Sequence, residues 1–164
     1  MKKILALSLA VLLIFAFSGC AAANNVLYKQ EAFTAFVEAS AGDKKIRGSL
    51  NFVSPSEISF EISEPESIKG VTVKLQNSEI VMIYESVEMT FGSTQLLTKE
   101  KNVFENLFEA LGSFANTQHE ISASGRTSVK CSYVFGEFSA VADADNSRLT
   151  SIETPSYLYI FTYS

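Results

Sequence analysis

Glu57, Glu61 and Glu64 stand within one short, strongly alternating segment, and two carboxyls facing one bond are what acid–base glycoside hydrolysis requires. Glu57 and Glu61, however, fall on the polar phase of that segment, opposite Ile58 and Phe60, where a solvated strand face accounts for them. His119 is the one histidine, so any His-based dyad or zinc site must use it. It follows a helical pattern, between Gln118 and Glu120, where a position at the surface or at the helix C-terminus accounts for it, since an imidazole suits the negative end of a helix dipole. Cys131 alternates with Val129, Tyr133 and Phe135, the pattern of a small buried apolar residue, and a thiol nucleophile would want a base beside it. Asp143, Asp145 and Asn146 resemble a calcium loop in composition but lack its ligand spacing and its distal bidentate glutamate. Phosphate loops, nucleophile elbows and His-Glu-x-x-His helices do not occur. The expectation is a protein that is not an enzyme and carries no metal and no cofactor.

Cys20 is the remaining reactive position. Lys2 and Lys3 precede an apolar run from Ile4 to Phe17 broken only by Ser8, and Ser18-Gly19 follow. A charged start, an apolar stretch and small residues at a cut form a secretory signal. The run is short of the roughly 20 residues that span a bilayer. With cysteine directly after the small pair, the segment resembles the bacterial lipoprotein signal, Phe17 standing where leucine is usual. That resemblance implies removal of 1–19, a diacylglycerol thioether on Cys20, often a further acyl chain such as palmitate, and attachment to the outer side of a bacterial membrane. Two chains suffice for stable anchoring, each buried methylene contributing about 0.8 kcal/mol. Residues 20–25 would then be a short lipidated tether and 26–164 a single domain of the cell envelope. Two of the 13 Lys and Arg leave with the signal, so 11 face 18 Asp and Glu, a net charge of −7. That balance argues against nucleic acid and against electrostatic docking to anionic headgroups.

The elements that position these residues follow from periodicity. From Val26 to Ala39, Phe33, Phe36 and Val37 share a helical face, and Gly42 supplies a stop or turn. The period then becomes two: Ile46 to Phe52, Ile58 to Ile62, Val71 to Leu75, Ile80 to Tyr84 and Val87 to Phe91 read as strands. Pro55 and Asn77-Ser78 mark reversals, and 64–70 a turn or a single helical turn. Between Lys101 and Asn116, Val103, Phe104, Leu107, Phe108, Leu111 and Phe114 crowd one side of a second helix, which Thr98 or Asn102 would cap. Strands return at Ile121–Ala123, Val129–Phe135, Phe138–Ala142, Leu149–Glu153 and Tyr157–Tyr163. Helix, strands, helix, strands predicts the α+β class with an antiparallel sheet.

That order, with Phe33 and Phe36 on the opening helix, then Gly48 to Pro55, Ile58 to Ile62 and Pro65 to Val73, resembles the half-barrel superfamily of bacterial envelope proteins that includes LolA, LolB and LppX. The resemblance covers nearly the whole mature chain. It implies a strongly curved antiparallel sheet, a half β-barrel, with two helices packed on its concave face. Members of this fold hold acyl chains or other lipids in an apolar cavity, and others bind protein partners. On that arrangement Phe104, Phe108 and Leu111 would oppose Leu50, Phe52, Phe60, Ile62 and Val73, with Phe36 beside them, as core or as the lining of a ligand site. The expected function is non-catalytic binding of a lipid or other apolar small molecule by a membrane-anchored lipoprotein. The alternative is a protein-interaction module acting on an envelope enzyme or receptor, with Tyr157–Tyr163 as an interface or a covered sheet edge.

Overall fold

The alternating segments build the sheet as their period dictates. The computed structural model describes residues 25–91, 102–145 and 148–164. In β3 (Lys44–Ser54) and β4 (Glu57–Glu64), Leu50, Phe52, Ile58, Phe60 and Ile62 are buried, whereas Asn51, Glu57 and Glu61 are exposed. Asn77 and Ser78 have φ of 53° and 66°, the left-handed pair that a two-residue hairpin needs. They join β5 (Thr72–Gln76) to β6 (Glu79–Tyr84), and β7 (Val87–Phe91) follows. The later strands are β8 (His119–Ser122), β9 (Arg126–Tyr133), β10 (Gly136–Asp143), β11 (Arg148–Glu153) and β12 (Leu158–Thr162).

The expected opening helix is replaced by two strands, β1 (Asn25–Tyr28) and β2 (Phe33–Ala41). The inward phase of β2 is Phe33, Ala35, Val37 and Ala39. Phe36, on the outward phase, is 46% exposed. One outward aromatic thus imitated helical spacing, while the alanines that complete the alternation carry little hydrophobic signal. Nine residue pairs to β3, and a ladder to β12 on the other side, decide the conformation, as tertiary pairing overrides a weak local preference. The concave face therefore carries one helix among the described residues, not two, and the fold is mainly antiparallel β.

That helix, α1, runs from Val103 to Ala115. Asn102 caps it, its Oδ1 accepting from the Phe104 N–H at 3.0 Å. The alternative cap Thr98 lies outside the described residues, as do Glu100, Lys101, Asn146 and residues 1–24 with Cys20.

Ten strands form one sheet in the order β7-β6-β5-β4-β3-β2-β12-β11-β10-β9, every neighbour antiparallel; β1 and β8 form a separate ribbon. The segment Tyr157–Tyr163 thus supplies a central strand, β12, and no edge. Register shifts at Arg47/Gly48, Phe52/Ser54 and Val141/Ala142 bend the sheet. Its curvature follows from two residues. β5 and β9 are seven places apart in the sheet, about 34 Å if it were flat, yet Leu75 of β5 and Tyr133 of β9 border the same hollow beside α1. The sheet wraps the helix as an incomplete barrel. Phe60 meets Phe104 at 5.3 Å and Phe33 stacks on Phe52 at 5.3 Å. Each such ring contributes about 1.5–3 kcal/mol by leaving water.

Candidate functional site

The seam of this barrel holds the candidate site. Phe108, Glu109, Gly112, Ser113 and Asn116 recur at helical spacing on one face of α1. That face looks toward Pro55 in the β3–β4 turn, Leu75 of β5, and Tyr133 and Val134 where β9 turns into β10. Between them is a partly open groove of about 240 Å³. Its lining is mixed: Leu75 and the buried Phe108 lie with Glu109, Ser113 and Asn116, and polar and apolar atoms contribute about equally to its wall. Val134, at the tip of the hairpin, is 78% exposed.

Gly112 sets the depth of the groove. A Cβ there would lie 3.6 Å from the Pro55 carbonyl oxygen and 3.8 Å from its Cβ, ordinary contacts that accommodate alanine. A longer side chain must enter the hollow. Ser113 Oγ donates to the Ser132 carbonyl at 2.6 Å and pins β9 to the helix. Tyr133 Oη donates to Asn106 Oδ1 at 2.8 Å. Asn106 is 1% exposed and its Nδ2 has no hydrogen-bond partner among the described residues. Burial pushes the Tyr133 hydroxyl pKa upward, so the phenol donates its proton to the amide oxygen across the neutral range.

Of the residues expected to line a ligand site, Leu50, Phe52, Phe60, Ile62, Val73, Phe104, Phe108 and Leu111 come together in one buried cluster. They pack against one another through α1. Phe36 does not join them, because β2 turns it to the outer face. Phe108 alone of the nine reaches the groove. Pro55, Leu75, Gly112, Tyr133 and Val134 were not singled out by sequence as site residues. The available signal was Val134, an aliphatic residue in a turn, beside Gly136.

The reactive candidates have structural places. His119 is not at the surface: it lies buried in β8, its ring stacked on Phe114 at 4.3 Å. Its Nε2 is 2.9 Å from the Phe114 carbonyl oxygen, so it closes the end of α1 from the side. Cys131 is half-buried and its thiol pKa is raised by that burial, which keeps it protonated and a poor nucleophile. Glu57 borders two outer hollows of about 210 and 360 Å³, and Glu61 borders neither. Glu64 instead pairs with Arg47 at 2.9 Å. On the outer face Phe36 of β2 and Leu158 and Ile160 of β12 form an exposed apolar stripe, since Ile160 pairs with Glu38 and Thr162 with Phe36.

No family model matches the chain, and no curated protein matches it. Among solved structures the chain is similar to a LolA superfamily protein from Nitrosomonas europaea. The two are 13% identical over 80% of this chain and 68% of that one, with a TM-score of 0.38.

Proposed function

We propose that the protein is a non-catalytic lipoprotein of the bacterial envelope, anchored through Cys20, that binds a single apolar chain in the groove beside Gly112. The observation that carries the binding reading is the groove itself, a partly open hollow at the seam of the barrel where Pro55, Leu75, Phe108 and Val134 meet the polar Glu109, Ser113 and Asn116. Its volume of about 240 Å³ is below the usual range of small-molecule sites, roughly 300–1,000 Å³. It suits one slender acyl chain, from a lipid or a lipid-modified partner, better than a whole lipid. The anchor rests on the charged start, the apolar run and Ser18-Gly19-Cys20.

A second reading, a module that binds an envelope protein, is favoured by the stripe of Phe36, Leu158 and Ile160. Contiguous exposed apolar surface marks interaction sites. A photo-crosslinking residue placed at Val134 or at Ile160 in bacterial cells separates the two. An adduct of lipid mass at Val134 supports the groove, and a protein adduct at Ile160 supports the module. Irradiation that yields neither overturns both.

A further inference from the structure

We infer that the outer face of the β1·β8 ribbon lies against the membrane, with Leu27 touching the lipid. The inference rests on the anchor proposed at Cys20. Four residues, 21–24, separate that cysteine from Asn25, where β1 begins. Five extended steps reach at most about 18 Å. A domain of this length has a radius of gyration near ~14 Å, so its full width exceeds the tether. The end that carries Asn25 must therefore sit next to the bilayer.

β1 is held to the fold by pairing and packing. It pairs with β8 from Asn25↔Ser122 to Tyr28↔His119. Tyr28 is buried, its ring 6.0 Å from that of Phe114 and its Oη donating to Gln30 Oε1 at 2.8 Å. The exit point of the tether is thus fixed on the fold, and so is the face beside it. Strand alternation places Val26, Tyr28, His119 and Ile121 on one face of the ribbon, and Asn25, Leu27, Glu120 and Ser122 on the other. Leu27 is 68% exposed, an aliphatic side chain bared at the place the anchor holds closest to lipid. Glu120 pairs across from it, and the mature chain carries net negative charge. Leu27 is thus the one apolar contact on a face otherwise polar, with Asn25, Glu120 and Ser122 at headgroup level, and the acidic charge fits a zwitterionic surface rather than an anionic one.

The sequence contains no tryptophan, so one introduced indole reports alone. Leu27→Trp, Val87→Trp and Ile160→Trp, all at exposed positions, are prepared as full-length lipidated protein in phosphatidylcholine vesicles containing brominated acyl chains. The expected result is quenching at position 27 at least threefold stronger than at 87 or 160, with a blue-shifted emission. Equal quenching at the three sites, with the lipid mass present on Cys20 and the protein floating with the vesicles, overturns the orientation and leaves the anchor standing. A Cys20 without added mass, on protein that does not float, overturns the anchor and the orientation together.

Discussion

Tyr133 Oη bonds to Asn106 Oδ1 at 2.8 Å, fastening edge strand β9 to the first turn of α1. The bond from Ser113 Oγ to the Ser132 carbonyl does the same about two turns further along the helix. From the opposite half of the sheet, Phe60 packs on Phe104, and Tyr159 Oη of central strand β12 donates to the Val103 carbonyl at 2.8 Å. One helix thereby holds strands that a flat sheet would keep far apart. The groove beside Gly112 is the part of the seam that those contacts leave open.

Tyr133→Phe is expected to lower stability by about 1–3 kcal/mol, because the buried Asn106 amide then loses its partner at Oδ1 while Nδ2 has none among the described residues. Adding Asn106→Leu replaces the unsatisfied amide with an apolar group of similar volume and should recover part of the loss. Urea unfolding of the two single variants and the double variant measures the coupling.

Two glycines should respond in opposite ways. At Gly48 a Cβ would run into the Glu61 carbonyl oxygen and the Phe60 ring, at a register shift between β3 and β4. Gly48→Ala should cost about 1–3 kcal/mol or more through overpacking. Gly112→Ala meets ordinary contacts within a helix, where alanine is favoured over glycine by about 1 kcal/mol. Thermal midpoints should fall for the first and hold or rise for the second.

Two buried tyrosines, Tyr28 and Tyr159, and the half-buried Tyr163 set the alkaline limit. Burial raises the hydroxyl pKa of Tyr28 and Tyr159 strongly, and that of Tyr163 to about 12, against about 10 in the unfolded chain. The folded value lies above the unfolded one, so this stabilisation is complete below pH ~10 and is lost as pH rises through the folded values. In that window a tyrosine removes at most about 1.4 kcal/mol per pH unit, and the half-buried Tyr163 less than Tyr159. Denaturation midpoints between pH 8 and 12 should be flat at first and then fall steeply. Tyr159→Phe should reduce the alkaline slope while lowering the midpoint at neutral pH, since its bond to Val103 is also lost.

Much of the sheet was legible because its strands alternate cleanly. Ile58, Phe60 and Ile62 are buried and Glu57 and Glu61 exposed as their spacing predicts, and Asn77-Ser78 forms the tight reversal expected of it. The helix between Lys101 and Asn116 was legible from its apolar stripe, and Asn102 from its capping chemistry. β2 was not, because Ala35 and Ala39 are small and Phe36 points outward. The groove was illegible for another reason. Its walls come from β5, α1 and the β9–β10 turn, and their meeting depends on how far the sheet curls, which no local pattern encodes. His119 stands at the helix C-terminus, one of the two places its position after the helical pattern allows, but buried rather than at the surface, because a neighbouring strand carries it to the Phe114 carbonyl.

The most direct measurement of the binding claim is native mass spectrometry of the full-length protein purified from bacterial membranes, compared with Gly112→Leu. The account predicts that the wild-type protein retains a noncovalent adduct of acyl-chain mass and that Gly112→Leu, folded by circular dichroism, has lost it. A wild-type spectrum free of any adduct, or an adduct equally abundant in Gly112→Leu, would contradict it.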